Sequence, residues 1–134
     1  MNNKSNVSHE DLIVSLKSLV KSMNNHHGKW LELRRTKDDI SYSWTPPVVN
    51  KAYKFLYDYD LIITFDSTHW AEGWDFLRKN DPDSYDSLDR EWVLKLLSQV
   101  ARSTRICQGN WEHLFEVGSG QKLFARLLEI EESK

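Results

Sequence analysis

Apolar residues recur at helical spacing over most of the chain, and the first such stretch begins after Ser8. Ser8 stands three positions before Asp11, which is a capping-box order with Asp in place of the usual Glu. The residues behind it repeat as one buried helix face requires: Leu12, Ile13, Leu16, Leu19, Val20 and Met23. The pattern predicts an amphipathic helix that ends near Asn24–Asn25. Residues 1–7 are polar and are expected to be disordered.

A period of two replaces the helical period after this first helix. Apolar and polar residues alternate over Lys29–Arg35 and again over Ile40–Trp44, and the charged turn of residues 36–39 separates the two runs. Short alternating runs joined by a polar turn are typical of a β-hairpin. Because an isolated hairpin is only marginally stable in water, the pattern also predicts that helices pack against it.

A second helix is predicted after the hairpin. Thr45 is expected to be its N-cap and Pro46 to lie in its first turn, where a missing N–H costs nothing. Its apolar face is broad, which indicates a helix with more than one neighbour: Val48, Val49, Ala52, Tyr53, Phe55, Leu56, Tyr57 and Tyr59. The short apolar run of residues 61–65 that follows is either a third strand or a buried linker.

A third helix is expected to carry two tryptophans one turn apart. Asp66 or Ser67 is its predicted N-cap, and the helix contains Trp70 and Trp74. The turn-rich residues 80–84 end it.

The last part of the chain predicts a long helix, a short one and a C-terminal one. Ser87 is expected to cap the long helix, on which Glu91 and Lys95 form a correctly oriented i, i+4 pair. The short helix spans Asn110 to Val117, and Ser119 is expected to cap the last helix.

Together these elements predict one α+β domain over residues 1–134, mostly α, with five or six short helices packed around one β-hairpin. A chain of 134 residues has the usual size of a single domain. Its connections are short, so neighbouring helices are expected to be antiparallel.

Composition adds an aromatic excess and a nearly balanced charge. Six Trp, five Tyr and five Phe can fill a core, and they can also form a binding surface. The net charge of −2 lacks the basic excess of most nucleic-acid-binding domains. Nucleic acid is therefore a disfavoured partner, although a local basic cluster lies on the predicted hairpin: Lys29, Arg34, Arg35 and Lys37.

Cysteine usage and hydropathy indicate a cytoplasmic protein, whether of a bacterial cell or of a host. The single cysteine, Cys107, excludes an internal disulfide and fits a reducing compartment. There is no apolar run long enough to span a membrane, and residues 1–6 lack the apolar region of a signal peptide.

The order of landmarks resembles a known family. The landmarks are the Ser-Trp-Thr-Pro entry at residues 43–46, Phe65-Asp66 before a Trp-containing helix, the Arg-x-x-Arg-x-Cys-x-Gly stretch at residues 102–109, and a glycine (Gly118 or Gly120) before a Leu-rich helix. From about Tyr42 to Ile130 the chain is similar to a family of small bacterial and phage proteins of unknown function. Ile106 and Gln108 depart from the family's usual Phe and Glu beside the cysteine. The resemblance implies a fold and a bacterial or phage origin, and it implies no activity.

Four constellations have catalytic or ligand-binding alternatives, but each has a simpler structural explanation. Asp66, His69 and Glu72 could share a helix face, yet acidic residues at a helix start favour capping over metal binding. Adjacent His26 and His27 are expected at the surface. Cys107 and His113 lack a distinctive orienting acid, and the glycines around Ser119 lack a phosphate-loop pattern. We therefore predict no catalytic residue, no metal and no cofactor.

Two clusters carry the functional hypotheses. The leading hypothesis is a non-enzymatic protein that binds another protein through an aromatic-rich surface, with Trp70 and Trp74 in that surface. The alternative is a small-anion or ligand site, or an enzyme, at the Arg-x-x-Arg-x-Cys-x-Gly corner. Its candidate binding residues are Arg102, Arg105, Cys107, Gly109 and Trp111.

Overall fold

Helices make up most of the molecule. The computed structural model describes residues 8–35, 40–66, 69–104 and 109–133, and the side chains of these residues except 33–35 and 40–44. The elements are α1 (His9–Asn25), β1 (Glu32–Arg35), β2 (Ile40–Trp44), α2 (Pro47–Asp58), α3 (Ala71–Lys79), a 3-10 helix (Pro82–Ser87), α4 (Arg90–Ser103), α5 (Asn110–Glu116) and α6 (Ser119–Glu132). The disorder predicted for residues 1–7 lies outside the described residues.

The first helix forms as predicted. The Ser8 side chain accepts a hydrogen bond from the Asp11 backbone N–H at 3.1 Å, which satisfies one of the free donors of the first turn. The helix ends at Asn25, and one face is buried against α6 and α2: Leu12, Leu16, Leu19 and Met23. The amphipathic pattern and its cap were therefore sufficient to define α1.

Helix α4 lies at the centre of the core. It contacts α3, α5 and α6, and most of its residues are buried: Val93, Leu94, Leu96, Leu97, Ser98, Gln99, Val100 and Ala101. The Glu91–Lys95 pair on its outer side forms as predicted, with 3.5 Å between carboxylate oxygen and ammonium nitrogen. A helix buried on so much of its circumference organises its neighbours around itself.

The predicted α+β class, with helices packed around a β-hairpin, is wrong, because the domain is all-α. The buried core of the described chain comes from the helices and the segments that flank them. The two short strands pair with each other in antiparallel register, with Arg35 opposite Ile40, and form a two-stranded ribbon. The main contacts that build the fold join helix to helix. Alternation correctly marked extended backbone there, but it did not show that the helices would bury their faces against one another. The predicted turn at residues 36–39 lies outside the described residues.

Four helix starts differ from the prediction, those of α2, α3, α4 and α6, and proline explains that of α2. The N-cap of α2 is Pro46 instead of Thr45, and its ψ of 144° is extended. Because Pro47 follows, steric clash excludes Pro46 from the helical region. Helix α2 therefore begins one residue later, with Pro47 at its first position.

Side-chain hydrogen bonds explain the starts of α4 and α6. Asp89 caps α4 by accepting the Trp92 N–H at 2.9 Å, whereas the Ser87 hydroxyl donates to the Ser84 carbonyl inside the 3-10 helix. Gly118 precedes α6 in the left-handed region, at φ 89°. Ser119 is the first residue of that helix, and its hydroxyl binds other side chains, so it caps nothing.

Residues 61–65 form a linker without regular structure. Leu61 is buried, and the Ile63 N–H donates to the Ser98 hydroxyl on α4 at 2.9 Å. Helix α3 then begins at Ala71, with Trp70 as the N-cap residue. The predicted cap at Asp66 is therefore wrong, and Ser67 lies outside the described residues.

Candidate functional site

The predicted corner at residues 102–111 is divided between fold contacts and residues that the structure does not describe. Arg102 lies in the last turn of α4 and donates from Nη1 to the Phe65 carbonyl at 3.2 Å. Arg105 and Cys107 lie outside the described residues. Gly109 takes a left-handed backbone, φ 97°, immediately before α5. Arg102 thus fixes the linker before α3, a role that the sequence pattern did not indicate.

Trp111 belongs to the core. Its side chain is 1% exposed, and its indole N–H donates to the Val49 carbonyl at 2.8 Å. Its ring packs edge-on against Tyr53 and Phe115, at centroid distances of 5.5 Å and 5.4 Å. The structure therefore does not bring Trp111 to a surface shared with Trp70 or Trp74.

Trp70 joins a cluster of aromatic rings at the junction of α3 and α4. Its ring lies 5.4 Å from Phe65 and 4.9 Å from Trp92, and Phe76 approaches Trp92 at 6.2 Å. The Lys95 ammonium stands over the Phe65 and Trp70 rings at 5.3 Å and 5.4 Å. Since Lys95 already covers these partly buried rings, the cluster chiefly attaches the linker and α3 to α4.

Trp74 lines a separate concavity between α3 and α5. Its volume is about 560 Å³, and we name it the α3–α5 groove. Its apolar lining comes from three helices or their ends: Trp74, Leu77, Val100, Leu114 and Val117. Its polar lining comes from the same elements and the start of α6: Arg78, Asn80, Asn110, His113 and Ser119. The groove is open to solvent along one side, and Val117 at its edge is 42% exposed.

A hydrogen-bonded triangle closes one end of the α3–α5 groove. Asn80 Oδ1 accepts from the Tyr85 hydroxyl at 2.8 Å and from the Ser119 hydroxyl at 3.1 Å. Asn80 Nδ2 donates to the Val117 carbonyl at 3.0 Å. The backbone of Asn80 adopts the left-handed conformation, with φ 45°. Burial raises the pKa of Tyr85, and the hydrogen bond with Ser119 opposes that rise in part. These bonds fix the end of α3 against the α5–α6 corner, so this end of the groove is preformed.

The charged rim of the groove is neutralised by neighbouring carboxylates. The Arg78 guanidinium lies 2.9 Å from Asp75, and the His113 imidazole lies 3.1 Å from Glu116. Both pairs join residues three apart on one helix and are largely exposed, so each contributes little to stability. An occupant of the groove would meet an apolar floor and a rim with little net charge.

The remaining constellations form local contacts. Asp66 and His69 pair directly, 2.6 Å between Oδ2 and Nδ1, at an exposed turn. In the described part of the chain, no group of three His, Cys, Asp or Glu side chains is placed to hold a metal ion. Over those same residues, no helix has the length and apolar character needed to cross a membrane.

Comparison with known proteins identifies the family. A model of the Family of unknown function (DUF6508) matches residues 6–133, so the chain belongs to that family. The match includes α1, which the resemblance from Tyr42 onwards had left out. No curated protein and no solved structure matches this chain.

Most of the groove could not be read from the sequence. Trp74 was singled out, but Leu77 and Val100 have the pattern of ordinary core residues, and Leu114 and Val117 belong to a short helix without a distinctive motif. The one available signal was Val117, an apolar residue that stands directly before Gly118 where the short helix ends.

Proposed function

We propose that this domain is a non-catalytic binding protein that receives a segment of another protein in the α3–α5 groove. The observation that carries the proposal is the groove itself, a preformed apolar concavity of about 560 Å³ with Trp74 in its wall. This volume lies within the range of pockets that bind drug-sized molecules.

The chemistry of the groove favours an apolar, uncharged occupant. Arg78 and His113 are already paired with carboxylates, so the rim offers no strong attraction for an anion. Trp74 and the partly exposed Val117 supply the large apolar contacts that usually dominate an interface. The expected partner segment therefore presents two neighbouring apolar side chains with polar residues around them.

A partner protein is also more consistent with the overall charge than nucleic acid is. The net charge of −2 supplies no general attraction for phosphate. We further propose a cytoplasmic location, which the single cysteine supports because the chain cannot form an internal disulfide. Cell fractionation with an antibody against the native protein tests the location, and recovery outside the cytoplasm would contradict it.

The test compares capture by the wild-type protein with capture by two surface variants. Val117→Glu places a charge at the groove, whereas Thr64→Glu introduces the same charge at an exposed residue of the linker before α3 that does not line it. Proteins retained from the native cells are identified by mass spectrometry, purified and titrated against each variant. We expect one partner whose affinity falls about tenfold or more with Val117→Glu and is unchanged with Thr64→Glu.

Two outcomes would overturn the proposal. One is a set of captured proteins that Val117→Glu and Thr64→Glu affect equally. The other is native mass spectrometry of the protein from its own cells showing a bound small molecule that Val117→Glu removes. The second result would instead assign the groove to a small apolar ligand.

A further inference from the structure

A second groove lies between α1 and α2, and it shares no lining residue with the α3–α5 groove. It is a shallow, open concavity of about 480 Å³. Leu19 and Phe55, both buried, form its floor, and Tyr59 lies along it. Val14 stands at its edge with 66% of its surface exposed, more than Val117, the other large apolar residue that is exposed in the described chain. We name this surface the α1–α2 groove.

The α1–α2 groove has a basic rim. Lys51 and Lys54, one turn apart on α2, are exposed and line it. Within the described chain neither lysine makes an ion pair, in contrast to the paired Arg78 and His113 of the α3–α5 groove. Asp58, one turn beyond Lys54, is the carboxylate of the lining, so the lining carries a net positive charge.

The position of Val14 is not explained by the fold. The face of α1 that packs against the core carries Leu12, Leu16, Leu19 and Met23. Lys17 pairs with Glu132 of α6 at 3.2 Å, so that side of α1 is occupied by the chain itself. Val14 belongs neither to the core-facing side of α1 nor to the Lys17–Glu132 contact. It lines the same groove as the two lysines of α2. An exposed apolar residue beside unpaired cations forms a surface that an acidic, amphipathic partner complements.

The secondary structure of the groove selects a helical partner. Both walls are helices, whose backbone groups are bonded within each helix apart from the terminal turns, so a strand cannot be added to them. A partner segment that lies here must satisfy its own backbone hydrogen bonds, which a helix does. A helix lying between two helices also follows ordinary ridge-and-groove packing.

We infer that the α1–α2 groove binds an amphipathic helix of a partner protein, with apolar side chains against Val14 and Phe55 and carboxylates over Lys51 and Lys54. The inference is independent of the function proposed for the α3–α5 groove. A domain with two such surfaces would join two partners.

The test uses two synthetic helical peptides and charge-reversed protein. Both fluorescein-labelled peptides carry leucines on one face, and the flanking face carries glutamates in one and lysines in the other. Fluorescence anisotropy measures their binding to wild type, to Lys51→Glu/Lys54→Glu, and to Lys21→Glu. Lys21 is an exposed lysine of α1 outside the lining, so Lys21→Glu controls for a charge reversal elsewhere on the surface. All three positions are exposed, and circular dichroism verifies that each variant folds.

We expect the glutamate peptide to bind wild type about tenfold more tightly than the lysine peptide does, with the preference reversed by Lys51→Glu/Lys54→Glu. Lys21→Glu should keep the wild-type preference for the glutamate peptide. Val14→Glu should weaken the binding of that peptide. Equal binding of the two peptides, an equal effect of Lys21→Glu, or no binding of either peptide would overturn the inference. Concentration-dependent dimerisation abolished by Val14→Glu would also overturn it, because the occupant would then be a second copy of the chain.

Discussion

Gly73 shows how closely a single residue fits the aromatic junction of α3 and α4. A Cβ at this position would meet the Trp70 ring at 2.4 Å and the Gln99 Oε1 at 2.7 Å. In an open helix interior, alanine is about 1 kcal/mol more favourable than glycine. Here overpacking outweighs that gain, so we expect Gly73→Ala to lower the free energy of unfolding by about 1–2 kcal/mol.

Urea denaturation followed by circular dichroism measures this effect. The control is Glu72→Ala, at the exposed neighbouring position, which should change stability by less than about 0.5 kcal/mol. If Gly73→Ala were as stable as wild type, the Trp70 ring could not occupy its observed position.

Tyr85 makes the free energy of unfolding depend on pH in the alkaline range. Burial raises the pKa of its hydroxyl above the ordinary 10.0, because the buried phenolate loses its hydration. A group whose folded pKa is raised stabilises the fold below its unfolded pKa, and this contribution is lost as pH rises through the folded pKa. The free energy of unfolding should therefore fall with pH above about 10.

Titrating stability against pH in wild type and Tyr85→Phe tests this. The variant should be less stable at neutral pH, because Asn80 loses a donor, but its stability should fall less steeply above pH 10. Tyr57→Phe, on a half-buried ring of α2, is the control for losing a hydroxyl. Parallel curves for wild type and Tyr85→Phe would contradict the assignment.

At the scale of elements, α4 holds the irregular linker before α3 through three side chains. Ser98 accepts the Ile63 N–H, Gln99 donates to the Trp70 carbonyl at 3.1 Å, and Arg102 donates to the Phe65 carbonyl. These three side chains lie on the face of α4 that the linker covers. Backbone groups of a linker need partners outside it, and here one helix supplies them.

Removing one of these bonds should loosen the linker more than the rest of the fold. We expect Arg102→Ala to lower the free energy of unfolding by about 1–2 kcal/mol and to speed amide exchange over residues 61–66. Arg78→Ala, at a 76% exposed arginine paired only along its own helix, is the control. Uniformly faster exchange along the chain would show that Arg102 has no special relation to the linker.

The elements themselves were largely predictable, and their limits were not. Helical spacing located α1, α2, α4, α5 and α6, because each buries one continuous face. The starts of α4 and α6 depended on whether Ser87 and Ser119 had other hydrogen-bond partners, and the chain folds so that both do. Ser87 bonds within its own 3-10 helix, which leaves Asp89 to cap α4, whereas the partners of Ser119 are distant in the sequence and a local pattern contains no information about them.

The candidate site is a property of the whole molecule for the same reason. Trp74, Val100 and Val117 come from three helices, and only packing around α4 brings them to one groove. The sequence drew attention to Trp74 because tryptophan is often an interface anchor. It also drew attention to Trp111, which has the same chemistry but is buried, because residue type alone does not distinguish a core aromatic from a surface one.

Glu131 joins three helix ends, and its environment exists only in the folded molecule. It is 2% exposed in the last turn of α6, where a carboxylate opposes the dipole of its own helix. Arg90, the first residue of α4, donates to it at 2.6 Å, and His9, the first residue of α1, lies 2.9 Å away. The Glu131 carboxylate and the Arg90 guanidinium are each unfavourably placed on their own helix, and their meeting offsets this.

Removing that carboxylate should therefore weaken the attachment of α1 as well as global stability. We expect Glu131→Gln to lower the free energy of unfolding by about 1–3 kcal/mol, since charge-assisted hydrogen bonds are among the stronger ones. Amide exchange should increase first in α1, which packs along α6. Glu132→Gln changes the adjacent carboxylate, which is 43% exposed and pairs with Lys17, and should cost less than about 1 kcal/mol. If the two variants were equally stable, the three helix ends would be held together by apolar packing alone.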